Sequence, residues 1–150
     1  MKMSPAMKKA QENMQPGVIT AEGFLGSEEH LLRDIIVRDE GEMQRLGLDF
    51  DETAALLKHL IAEGRKGLGE PVTVDGKWLV QTWEARGHLA CPFEDGIFRK
   101  ITAEIENKAR NMKILVTDLA IHLMETHHFL EGTGSPFRLD PEMMKAVLGD

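Results

Sequence analysis

Residues 71–86, PVTVDGKWLVQTWEAR, decide the fold. Upstream of Pro71 the apolar residues recur at helical intervals, whereas from Val72 onward they alternate with polar ones, the period of a strand. Asp75-Gly76, in the middle, is the residue pair that a two-residue hairpin turn favours, because both central positions take positive φ. The stretch therefore predicts two antiparallel strands, 71–75 and 77–86. Trp78 and Trp83 are five positions apart, so an ideal strand points them to opposite faces unless a bulge turns both inward.

Downstream, 87–96 (GHLACPFEDG) reads as a connecting loop. Ile101, Ala103 and Ile105 then alternate with Thr102, Glu104 and Glu106 in a half-buried strand over 97–107, and Met112, Ile114 and Val116 run back after a turn at Arg110-Asn111. The result is a four-stranded antiparallel meander. Upstream, Leu32, Ile36, Asp39, Met43 and Leu46 make an amphipathic stripe over 28–46, with Ser27 as the expected cap. Asp49 and Glu52 form a capping-box pattern that opens a second helix through Leu57, Leu60 and Ile61, and the short link between the two predicts an antiparallel pair. After the meander, a helix over 118–131 is capped by Thr117 or Asp118 and ended by Gly132. Asp140 and Pro141 open a last helix that stops at Gly149. The fold class is α+β: an N-terminal helical pair, the meander, and C-terminal helices packed on one sheet face. Residues 1–17, ending at Pro16-Gly17, are a flexible or short helical arm, and 18–150 form a single domain.

A chain of 150 residues, 42% hydrophobic and 29% charged, can bury a core without disulfides. With 25 acidic and 18 basic side chains its net charge of −7 has the wrong sign for a phosphate backbone, so nucleic acid is disfavoured as a partner. Arg99, Lys100, Lys108, Arg110 and Lys113 are the local exception, a hairpin through which RNA contact is conceivable, but Glu104 and Glu106 interleave with them as on an ordinary solvated face. The sequence has neither a membrane-length apolar run nor a signal peptide's apolar centre, and its lone cysteine has no internal disulfide partner; a cytoplasmic protein is expected. The glycine-flanked stretch 23–27 leads to a helix start, yet Glu28 and Glu29 there repel a phosphate. Walker loops, dinucleotide fingerprints, nucleophile elbows and zinc-protease helices are absent from the sequence.

Three of the six histidines lie on the 118–131 stretch. At about 100° per residue, Leu119, Leu123, Thr126 and Leu130 share the expected buried face, with His122 and His127 flanking it about 140° apart. That i, i+5 spacing chelates one metal less readily than i, i+4 does. Asp118, His122 and Glu125 fall on one side, a ladder able to fix an imidazole tautomer or to ligate a metal in part. In the loop, His88 and Cys91 add an imidazole and a thiol three apart. His88, Cys91, His122 and His127 together make a candidate zinc set, His-x2-Cys followed by His-x4-His, although the gap between the halves is much longer than a zinc finger's. Alternatively Cys91 and a histidine are a nucleophilic pair, with Asp118 orienting His122. The bland alternative is a buried thiol, ordinary histidines and Asp118 as a cap. Arg138, after the loop 132–137, offers a fork of donors for a carboxylate or phosphate, or simply pairs with a neighbouring acid.

The stretches GFLGSEEHLLRDIIVRDE, ARGHLACPFEDGIF and TDLAIHLMETHHFLEGTGSPFRLDP, spanning residues 23–141, resemble a small bacterial cytosolic family without an assigned function. The resemblance implies one compact domain and draws attention to Cys91, Asp118, His122, His127 and Arg138; it implies no reaction, substrate or cofactor. The leading expectation is a non-catalytic module that binds a small ligand or a protein, as a homodimer through its sheet or helical pair. The alternative is a zinc-dependent or Cys/His hydrolase-type enzyme with its site between the 88–96 loop and the 118–131 helix.

Overall fold

The hairpin turn forms where the sequence places it, with Asp75 and Gly76 at φ 53° and 67°. In the computed structural model, which describes residues 3–149, it joins β1 (Val72–Val74) to β2 (Trp78–Ala90), and Val74 lies opposite Trp78. The outermost positions of the predicted arm, 1 and 2, and of the predicted domain, 150, lie outside the described residues. β3 (Ile97–Asn107) and β4 (Met112–Thr117) complete an antiparallel sheet of order β1-β2-β3-β4. Trp78 and Trp83 face opposite ways: Trp78 is 6% exposed and donates from Nε1 to the Val147 carbonyl at 2.8 Å, while Trp83 is 45% exposed. The register shift lies further along, between Ala85 and His88.

Among the described residues there are five helices, before and after the sheet. α1 (Pro5–Asn13) is the short-helix version of the N-terminal arm; Ser4 caps it and Ala10 is buried. α2 (Leu32–Arg45) and α3 (Phe50–Arg65) are the predicted helical pair, α4 (Asp118–His127) follows β4, and α5 (Pro141–Leu148) begins at the Asp140 cap. One core forms where Val80, Ile101, Ala103, Ile105 and Val116 on a single sheet face meet Leu57 and Leu60 of α3, Ala120, Ile121 and Met124 of α4, and Met144 and Val147 of α5. Gly64 of α3 permits this approach, since a Cβ there would come within 2.4 Å of Val80 Cγ1. A second core collects Ala10, Met14, Phe24, Leu32, Ile35, Cys91, Leu119, Leu123 and Phe129. α4 is therefore buried on two sides, a pattern that no single amphipathic stripe encodes.

The structure corrects several boundaries. α2 starts at Leu32 rather than at 28, and its N-cap, Leu31, makes no side-chain capping bond. Ser27 is no cap: its hydroxyl donates to the Thr133 carbonyl at 3.0 Å. Glu28 does not sit in a first helical turn but is buried in an ion pair with Arg38 at 2.6 Å, which holds its carboxyl down at about 2. α4 ends with His128 in the left-handed region rather than at Gly132. Leaving the helix early carries Phe129 into the second core and Leu130 into the first. Thr126, expected on the buried face, is exposed. Residues 87–90 extend β2, so the connecting loop shrinks to 91–96. No helix among the described residues is long and apolar enough to cross a membrane.

Candidate metal centre

The shortened loop is a tight turn: Cys91 N donates to the Gly96 carbonyl and Glu94 N to the Cys91 carbonyl, both at 2.9 Å, and Glu94 takes φ 63°. This folds Asp95 back over Cys91. Asn13 Nδ2 donates to the Pro92 carbonyl at 2.8 Å and ties the turn to the end of α1. Leu119 and Leu123 dock α4 into the same core that holds Cys91, which brings the last turns of the helix to the loop.

Four donor side chains meet there. Cys91 Sγ, a carboxylate oxygen of Asp95 and one ring nitrogen each from His122 and His127 all lie within 4.8 Å of one another. His122 Nε2 is 3.0 Å from Asp95 Oδ1, His127 Nε2 is 2.7 Å from Asp95 Oδ2, and Cys91 Sγ is 3.9 Å from His127 Nε2. A tetrahedral ion with bonds of about 2.0–2.3 Å needs donors separated by roughly 3.3–3.8 Å, so small side-chain adjustments would accommodate one. The rings are held from behind. Phe93 stacks on His127 at 3.9 Å and Phe98 on His122 at 4.4 Å, while Thr126 Oγ1 lies 3.3 Å from His122 Nδ1. A bond to the remote ring nitrogen fixes the tautomer that leaves Nε2 available to a metal.

Cys91 is 1% exposed. Burial, with the Asp95 carboxylate beside it, pushes its thiol up to about 12, so at neutral pH it is a poor nucleophile. Burial opposes ionisation of Asp95, yet contacts with Cys91, His122 and His127 outweigh this and hold the carboxyl well below the usual range. Burial also lowers His127, against the pull of Asp95.

The structure thus brings Cys91, His122 and His127 together and leaves out three other candidates. His88 is exposed on β2 opposite Arg99 and is no part of the cluster; the strand extension carries it away from the loop. Among the described residues Asp118 makes no bond to His122, and Glu125 pairs with Lys58 at 2.5 Å, so the expected ladder is absent. Arg138 is half-buried in a two-bond pair with Asp39, both distances 2.9 Å, and donates to the Glu131 carbonyl at 2.7 Å. The basic residues of the hairpin are partly neutralised, with Arg99 3.7 Å from Glu84 and Lys113 3.5 Å from Glu104.

Sequence reasoning missed Asp95. The only local signal is its position four residues after Cys91 in a turn closed by Gly96. Both i, i+5 histidines lie within α4, and they converge because each side chain reaches sideways to one carboxylate, their rings 5.3 Å apart and nearly perpendicular at 82°. Comparison with family models, curated proteins and solved structures gave no match.

Proposed function

We propose that the protein is a small metal-binding module in which a zinc-class ion, held by Cys91, Asp95, His122 and His127, locks the 91–96 loop to α4. The observation that carries this reading is the convergence of a thiol, a carboxylate and two imidazoles within 4.8 Å, with both rings braced by phenylalanines. Mixed sulfur and nitrogen donors suit zinc, and four protein ligands describe a closed, structural site rather than one with an open position for substrate. A bound cation would also supply the positive charge that a thiolate at Cys91 lacks. The expected cytosolic setting belongs to the same proposal, because the ligand must be a reduced cysteine.

The test is elemental analysis of protein purified without added metal, followed by reloading with zinc. About one equivalent of zinc is expected, lost in Cys91→Ala and His127→Ala and retained in His88→Ala. Metal-free protein that stays metal-free on incubation with micromolar zinc, or loading that His88→Ala abolishes, refutes the proposal.

One observation favours a second reading, a hydrolase-type centre. The Asp95 side chain is 35% exposed, against 17% and 18% for His122 and His127, so it is the ligand most open to exchange with water. Three remaining protein ligands and a water are the arrangement of a catalytic zinc site. Hydrolysis of an activated ester by the zinc-loaded chain, absent from the metal-free chain and from Cys91→Ala, would favour this reading over the closed site.

A further inference from the structure

A cavity of about 470 Å³ opens between residues 20–24, the outer face of the β2–β3 hairpin and the 131–137 loop, and it shares no residue with the four-donor cluster. The volume suits a small organic molecule. Phe24, Trp83, Leu89 and Phe137 make its walls largely apolar, and Trp83 and Phe137 are the partly exposed aromatics at 45% and 36%.

One ionisable group in this lining is buried. Glu131 is 5% exposed, and its Oε1 accepts from the Ser135 hydroxyl at 2.7 Å. That is the only hydrogen bond to its carboxyl among the described residues. Among the described residues no sealed side-chain nitrogen or oxygen lacks a partner, so the second oxygen keeps access to solvent, and Glu131 lines the open volume. Among the described residues no cation pairs with the carboxyl: Arg138 is engaged by Asp39 and by the Glu131 backbone carbonyl. Burial pushes the carboxyl up to about 7 against the opposing bond from Ser135.

The backbone holds this group in place. Glu131 has φ 68°, a left-handed conformation that is strained for an L residue and that clusters at functional sites. Next to it, Gly132 N donates to the Phe24 carbonyl at 2.8 Å, and a Cβ on Gly132 would stand 1.9 Å from the Leu25 carbonyl oxygen. Only glycine permits that approach, and the contact fixes the loop against the segment forming the opposite wall.

We propose that this cavity binds a small apolar amine, its ammonium group hydrogen-bonded to the open oxygen of Glu131 and its hydrocarbon or aromatic body between Phe24, Trp83 and Phe137. An amine supplies the cation that the buried carboxyl lacks. An anion would meet that carboxyl's lone pairs and gain little from the rim, where Arg99 is turned toward Glu84 at 3.7 Å, Lys100 is exposed, and Glu22 offsets them.

The test titrates the full chain at pH 8 with 2-phenylethylamine and with 3-phenylpropionate as its anionic counterpart, read by tryptophan fluorescence and calorimetry; Trp83 lines the cavity and Trp78 is buried elsewhere. Saturable binding of the amine is expected, weakened about tenfold or more in Glu131→Gln, with no binding of the acid. Ala85→Phe, at an exposed strand position on the cavity wall, should weaken the amine similarly and keeps the test decisive if Glu131→Gln does not fold. Equal or tighter binding of 3-phenylpropionate, no saturation with the amine, or an affinity unchanged by the folded variants overturns the proposal.

Discussion

Replacing Glu131 with glutamine should change how the protein's stability depends on pH, in a direction and amount that the structure sets. The carboxyl ionises at about 7 in the folded chain against an ordinary 4.5, because burial disfavours its charge. Between those values the folded state keeps a proton that the unfolded state has lost, so stability falls as pH rises. The contribution is complete below 4.5 and gone above about 7. At ~1.4 kcal/mol for each unit between the two values, the loss is about 3 kcal/mol. Glutamine keeps an amide oxygen to accept from Ser135 and does not titrate. The informative quantity is the difference between wild type and Glu131→Gln, in which contributions common to both chains cancel, taken from urea unfolding at half-unit intervals from pH 4.5 to 8. That difference should move by about 3 kcal/mol in favour of the variant as pH rises. Parallel stability curves would falsify the assignment of a protonated, buried carboxyl at this position.

Other perturbations test the frame around the sites. Asp39 is 1% exposed and accepts twice from Arg138, so Asp39→Ala should cost about 3 kcal/mol by leaving the half-buried guanidinium without its carboxylate, read as a lower urea midpoint. Arg138→Ala should cost a similar amount, and the double variant clearly less than the two single losses together. Gly64→Ala places a Cβ 2.4 Å from Val80 Cγ1 and should destabilise by about 1–3 kcal/mol, whereas Gly41→Ala, with open space around it, should be neutral or stabilising in the same melts. If the four-donor site binds zinc, free ion at a hundred times its dissociation constant should raise stability by ~2.7 kcal/mol in wild type and His88→Ala but not in His127→Ala, measured by denaturant unfolding.

The sequence by itself determined the element order. Alternation after Pro71, the Asp75-Gly76 turn, the Asp49 and Asp140 caps and the stripes of α2 and α3 are local signals, and local backbone energetics suffices to read them. It also singled out Cys91, His122 and His127 as the residues with chemistry to offer. Tertiary structure decided what surrounds them. β2 ran on through His88 because pairing with β3 continued past the irregularity at 85–88, and α4 stopped at His127 because Phe129 and Leu130 were drawn into different cores. The strand extension took His88 out of the cluster, and the tight turn that remained brought Asp95 into it. The Asp95 carboxylate gives the i, i+5 histidines one point on which to converge, and the early end of α4 leaves Glu131 buried in a cavity wall with, among the described residues, no cation beside its carboxyl. Periodicity reports which way one element faces; it carries no information on where a second element halts, and the distances between donors from separate elements depend on that.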